Sequence, residues 1–241
     1  KLKTQFATSA CLPISLAVVA MLSAQSAQSA TLYWDVNGTT AGFSTVVGAW
    51  NDSNLFWSTS SIGGSGTLSA ASSSSDDLFI SPATTNTGSI TISGTTKNAS
   101  SLTFLANVGP TTTITGGTIN IGGTGTSSGI FQQSTGNNTI NSALRLNSGN
   151  TAFNFTNSST GLLTIGGSVT GTATTGNATQ SIMIGASNTG GITLSGVIAD
   201  LAGSATKVAL TVNSSGTGIT TLTGANTCLL YTSPSPRDRQ K

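Results

Sequence analysis

Chemistry in this chain would have to be done by very few side chains. Between residues 31 and 227 the ionisable groups are Asp35, Asp52, Asp76, Asp77 and Asp200, set against Lys97, Arg145 and Lys207, with Tyr33 the one phenol. Histidine is absent from the sequence altogether. Ser-His-Asp and Cys-His catalysis are therefore excluded for this stretch, and zinc sites built from His or Cys are equally out of reach. What remains is carboxylate chemistry, either paired acids for glycoside hydrolysis or Asp-bound calcium beside a basic residue. The one close pair is Asp76-Asp77. Neighbours on a strand point to opposite faces, so the two do not converge on one ligand. They read as a solvated turn ahead of the apolar Leu78-Phe79-Ile80, with calcium binding as the lesser alternative.

The other charges read as structural. Asp52 lies in the turn-like Asn51-Asp52-Ser53, and Asp200 in a loop-like insertion near Ala199–Ala205. Lys97 and Arg145 read as isolated edge or outer-face charges, useful mainly against edge pairing. Met183 reads as core. Repeated Gly-Gly-x-Gly-x-Asp units are missing, which argues against a calcium roll. The expectation is no catalytic residues, no metal site, no cofactor and no enzymatic activity within this piece.

Few charges must be positioned by many short strands. From Ser89 to Thr223, apolar and small polar residues alternate in short segments such as Ser89-Ile-Thr-Ile-Ser93, Thr118-Ile-Asn-Ile121 and Ile192-Thr-Leu194. Period-two alternation marks half-buried strands, and the segments are punctuated by Gly116-Gly117, Gly122-Gly123, Gly166-Gly167 and Gly190-Gly191, which read as turns. No sustained 3.6-residue apolar period interrupts the pattern.

An all-β chain of this kind could be a right-handed parallel β-solenoid (β-helix) or a β-sandwich or barrel. The solenoid fits better. Its units look self-similar, aromatics are too scarce to fill a wide sandwich, and stacked Ile, Leu, Val and Thr suit a narrow core. With about 20 to 25 residues per coil, residues 81–227 would make about six coils, each adding roughly 4.8 Å of length. Residues 31–80 hold Trp34, Trp50 and Trp57 and read as an N-terminal cap over the open end of the core. A carbohydrate-stacking platform is the functional alternative for these indoles.

The ends differ from the body. Lys1-Leu2-Lys3, the apolar run Leu12–Leu22 and the small residues up to Ala30 have the three parts of a signal peptide over residues 1–30. The apolar run is too short to span a bilayer, which takes about 20 residues. Cys228 to Asp238 resembles the translated end of a sequencing adapter, so residues 228–241 are expected to be a non-native tail that interrupts the repeats after Thr227. With both ends set aside, the basic excess and both cysteines, Cys11 and Cys228, disappear. Nucleic acid, which needs a clustered basic face, is not an expected partner, and disulfides are not expected to hold the fold.

A family resemblance rests on the last native residues. Gly218-Ile-Thr-Thr-Leu-Thr-Gly-Ala-Asn-Thr227 is similar to the start of the repeat carried by the large exported bacterial proteins with autotransporter-associated β-strand repeats. Tyr33-Trp34-Asp35, Gly48-Ala49-Trp50, Trp57 and Asp76-Asp77-Leu78-Phe79 resemble the region preceding such repeats. The resemblance implies a secreted, cell-surface β-helical stalk or adhesin-like passenger, associated with the outer membrane through a C-terminal barrel or anchor beyond this piece. Its implied partners are surface or matrix carbohydrate or protein. The alternative is a carbohydrate-binding or polysaccharide-degrading β-helix whose active groups lie beyond Thr227, and an immunoglobulin-like adhesin module is a third class.

Overall fold

A computed structural model describes residues 29–80, 87–94, 96–106, 111–123, 127–147 and 149–227, with the backbone of Leu230–Thr232. The expected signal peptide lies outside the described residues except for positions 29 and 30. The expected tail lies outside them except for Leu230–Thr232, a short strand paired with Val208–Val212.

The alternating segments form strands on three faces. Each coil visits the faces in the same order, so that Asp77–Ile80, Gly88–Ile92 and Thr96–Ala99 lie on the first, second and third face, and Ser101–Phe104 returns to the first. Strands on each face pair in parallel with the equivalent strand one coil on, as in Leu78 beside Leu102, Ile90 beside Ile114 and Ile119 beside Leu144. The result is a parallel β-solenoid. Five complete three-strand coils run from Asp77 to Ala199, and Val208–Val212 with Thr220–Leu222 carry the first two faces of a sixth. Equivalent residues in adjacent coils lie between 22 positions apart, Asn98 to Asn120, and 29 apart, Phe155 to Ile184. The later coils are thus longer than the sequence pattern suggests, because turn segments such as 171–179 and 200–207 lie outside the pairing.

The core is built of in-register columns of inward side chains on all three faces. On the second face Ile90, Ile114, Ile140, Ile165 and Leu194 stack in register and all are buried. On the first face Leu78, Leu102, Ile130, Phe155 and Ile184 do the same. Burying one such side chain contributes about 1.5–3 kcal/mol relative to exposure, so each coil adds its increment only when stacked on its neighbour.

Tight corners let the columns align. A Cβ on Gly167 would lie 1.9 Å from the Ser142 carbonyl oxygen, one on Gly196 1.9 Å from that of Gly167, and one on Gly224 2.2 Å from that of Gly196. These glycines follow the second-face strands of consecutive coils, and any side chain there would strike the backbone above it. Gly224 belongs to the Thr-Gly-Ala-Asn motif. In the same motif Asn226 Oδ1 accepts the Ile198 N–H at 2.9 Å. The motif therefore describes one corner, a glycine that permits stacking and an asparagine that ties it to the coil before.

The N-terminal end is closed by the tryptophans. Thr31–Trp34 extends the first face beyond Asp77–Ile80, and Val47–Trp50 extends the second beyond Gly88–Ile92. Trp57–Ser58 then pairs antiparallel with Thr31–Trp34, and Leu68–Ser69 with Trp57–Ser58. Trp34, Trp50 and Trp57 are at most 2% exposed, and Trp57 meets Trp34 and Trp50 edge to face with centroids 5.0 and 5.1 Å away. Large rings bury much area from few residues, which suits them to cover the end of the apolar columns.

Candidate functional site

The three indoles are not a binding platform, because none presents a face to solvent. That function-bearing alternative fails on burial, and the capping role fits the geometry.

Asp76 and Asp77 are not solvated. They are 7% and 4% exposed, because the turn before Leu78 is folded under the cap. Asp76 Oδ1 accepts the Ala30 N–H at 3.2 Å and its Oδ2 the Ser73 N–H at 2.6 Å. This carboxylate ties the first strand of the cap to the first coil. Asp77 faces the other way and accepts the Ser101 hydroxyl on Oδ1 at 2.7 Å. The pair diverges, as the alternation of strand side chains requires.

Asp35 and Asp200 organise backbone. Asp35 is fully buried, with Asn37 N–H on Oδ1 at 3.2 Å and Gly64 N–H on Oδ2 at 3.3 Å. Asp200 accepts the Val208 N–H at 2.7 Å and pairs with Lys207 Nζ at 3.3 Å. Hydrogen bonds to a carboxylate are among the stronger ones, so each of these short acids fixes a loop.

Two further sequence assignments are overturned. Lys97 is not an outer-face charge. It points inward at the position Ile119 takes one coil later, and is 5% exposed. Its long chain escapes the core where the cap lacks a third-face strand, and Nζ meets Asp52 Oδ1 at 2.6 Å. Met183 is not core. Gln180, Ile182 and Ile184 on its strand are buried, which turns Met183 outward at 40% exposure. Arg145 is exposed on the outside of the third face beside Asn120 and Thr172, as expected.

A different set of residues makes a hollow of mixed character on the outside of the first face. On the outside of the first face Tyr33, Phe79, Thr103, Phe131 and Thr156 occupy successive rungs of one row. The Tyr33 and Phe79 rings are stacked, with centroids 5.1 Å apart and planes inclined by 24°. Phe43 lies beyond Tyr33 at 6.1 Å. Beside this row a hollow of about 200 Å³ opens between Phe79 and Phe131, with Thr103 and Ser101 at its base and Asp77, Ser127 and Gln133 around it. Phe79 and Phe131 are far apart in the sequence, and only the length of the intervening coils brings them into one row. The alternation in Asp77-Leu78-Phe79-Ile80 was the available signal: it places Phe79 opposite to Leu78 and so outside.

Comparison with known proteins agrees with this architecture. No family model matches the chain, and no solved structure matches it. The chain is 33% identical over 223 residues to the Adhesin BmaC autotransporter of Brucella suis biovar 1 (strain 1330), an alignment that covers 88% of this chain and 6% of the relative. The chain thus spans a small fraction of the length of the curated relative it matches. Among the described residues, no helix is long and apolar enough to cross a membrane. The resemblance drawn from Gly218–Thr227 and the observed coils lead to the same place: the chain is a β-solenoid homologous to a segment of an autotransporter adhesin.

Proposed function

We propose that this chain is part of an exported structural and adhesive stalk, held at the bacterial cell surface and associated with the outer membrane. The carrying observation is the continuity of the parallel sheets: the first and second faces run from the Trp cap into the sixth coil, and the third runs from Thr96–Ala99 to Ile198–Ala199. A rod of this kind is stabilised coil by coil and can be lengthened without redesign. The match to an adhesin supports the setting. Aspartates spent on loop and cap geometry support a passenger without catalysis in this segment.

The test is antibody labelling of intact cells that make the full protein, with serum raised against residues 31–227. Labelling of unbroken cells that is lost on protease shaving is expected, together with reduced adherence of the shaved cells to matrix-coated surfaces. Signal found only after lysis would overturn the surface assignment, and unchanged adherence after complete shaving would overturn the adhesive one.

A further inference from the structure

We infer that the hollow between Phe79 and Phe131 is a binding slot for one neutral pyranose ring. The row that contains it is an aromatic ladder with a rung missing. Tyr33 and Phe79 are adjacent rungs and stack face to face, so the second face of Phe79 is directed along the solenoid axis toward the next rung. That rung is Thr103, and Phe131 follows it. Two strand spacings separate the rungs of Phe79 and Phe131, about 9.5 Å at ~4.8 Å each. A single ring placed midway sits about 4.8 Å from each rung, close to the spacing of the Tyr33–Phe79 stack and the strand repeat.

The surroundings choose the kind of ring. An aromatic side chain would need apolar walls and little else. Here the walls are apolar but the floor and rim are not: Ser101, Ser127 and Gln133 offer hydroxyl and amide groups, and Asp77 offers a carboxylate. A pyranose has apolar C–H faces and a belt of hydroxyls, which matches walls and rim together. Asp77 is 4% exposed and oriented by the Ser101 hydroxyl at 2.7 Å, so it is a built-in acceptor rather than a loose surface acid. Its negative charge disfavours uronic acids and other anionic sugars through like-charge repulsion at low dielectric. Along the row the slot is bounded by Phe79 on one side and Phe131 on the other, two strand spacings apart, which leaves room between them for a single sugar unit of a larger glycan. The biological setting of this site rests on the adhesive reading above, but its chemistry does not.

The experiment is saturation-transfer NMR and calorimetry on the full chain, with methyl glycosides of glucose, galactose and mannose, N-acetylglucosamine, glucuronate and p-cresol as probes. Binding of at least one neutral glycoside, with glucuronate at least tenfold weaker, is expected. Phe131→Ala should weaken that binding at least tenfold. Thr103→Phe fills the missing rung, so it should abolish binding while leaving the melting temperature at or above that of the parent chain. Absence of binding by every neutral sugar, preference for glucuronate, binding of p-cresol in their place, or undiminished binding by a folded Thr103→Phe variant would each overturn the assignment. Surface labelling of cells carrying Thr103→Phe separates the two readings, because loss of the slot leaves the stalk in place.

Discussion

Lys97 occupies the column position that Ile119 fills with hydrocarbon one coil later, and its Nζ leaves the core to meet Asp52 Oδ1 at 2.6 Å. The strand Thr96–Ala99 is the outermost of its face, because the cap supplies strands to the first and second faces only. An edge strand is a template for pairing with another chain, and an inward-pointing charge is one of the ways to blunt it. The Ser72 hydroxyl, donating to the Asn98 carbonyl at 2.7 Å, covers part of the same edge.

Replacing the charge should separate stability from solubility. The Asp52 side chain is 76% exposed, so water reaches the pair and its net contribution is small, about 0.2–1 kcal/mol. Lys97→Met keeps the length of the chain and completes the apolar column, and should change unfolding free energy by less than about 1.5 kcal/mol. Its cost should appear as end-to-end association. Light scattering at rising concentration is expected to show dimers or larger species for Lys97→Met and not for Asp52→Ala, which leaves the ammonium in place.

The corner glycines predict a sharp positional effect. Gly196→Ala drives a Cβ to within 1.9 Å of the Gly167 carbonyl oxygen, so adjacent coils must part. Strain of this sort costs about 1–3 kcal/mol. At Gly149 the nearest atom to an added Cβ is the Asn147 Oδ1, 3.3 Å away and on a movable side chain. Gly149→Ala should be close to neutral. Chemical denaturation of the two variants tests the difference, and equal stabilities would rule out a close-stacking role for the corner.

Inside and outside of the first face give a second pair. Phe155 is fully buried between Ile130 and Ile184, whereas Met183 is turned to solvent. Phe155→Ala should lower stability by about 3–5 kcal/mol, and Met183→Ala by less than about 0.5 kcal/mol. Thermal melts followed by circular dichroism read both, and a large loss for Met183→Ala would contradict the observed register.

The sequence made the fold legible because parallel stacking repeats one local rule. Ser89-Ile-Thr-Ile and Thr118-Ile-Asn-Ile become strands with their isoleucines inward, and the Gly and Asn of Gly218–Thr227 become a corner. The rest depended on relations between coils. Lys97 breaks the apolar pattern locally, and its inward direction follows from where the cap ends. Asp76 and Asp77 looked solvated because their partners, Ala30 and Ser101, are remote in sequence. Phe79 and Phe131 belong to one row only because the intervening coils have the lengths they have. Met183 follows its strand's register, which its hydrophobicity alone misstates.

Gln180 offers a pH-dependent test of the buried polar brackets. It is fully buried. Its Oε1 accepts the Thr172 N–H at 2.7 Å, while Nε2 donates to the carbonyls of Asn147 at 2.9 Å and Asn150 at 3.3 Å. One amide thus stitches the third-to-first-face turns of two consecutive coils. In Gln180→Glu an ionised carboxylate keeps the Thr172 bond but turns an acceptor toward two carbonyl oxygens. Burial and those oxygens favour the protonated form, so the carboxyl is held above its unfolded value of about 4.3. The folded state then binds more protons than the unfolded one, and stability falls as pH rises. Relative to the parent chain, Gln180→Glu should lose about 3–5 kcal/mol at neutral pH, the scale of an uncompensated buried charge. Most of that deficit should vanish below the unfolded pKa, where the acid is neutral in both states and can donate one hydrogen bond. Paired denaturation curves at acidic and neutral pH measure the difference directly, and a deficit independent of pH would show that the bracket is lost for steric reasons instead.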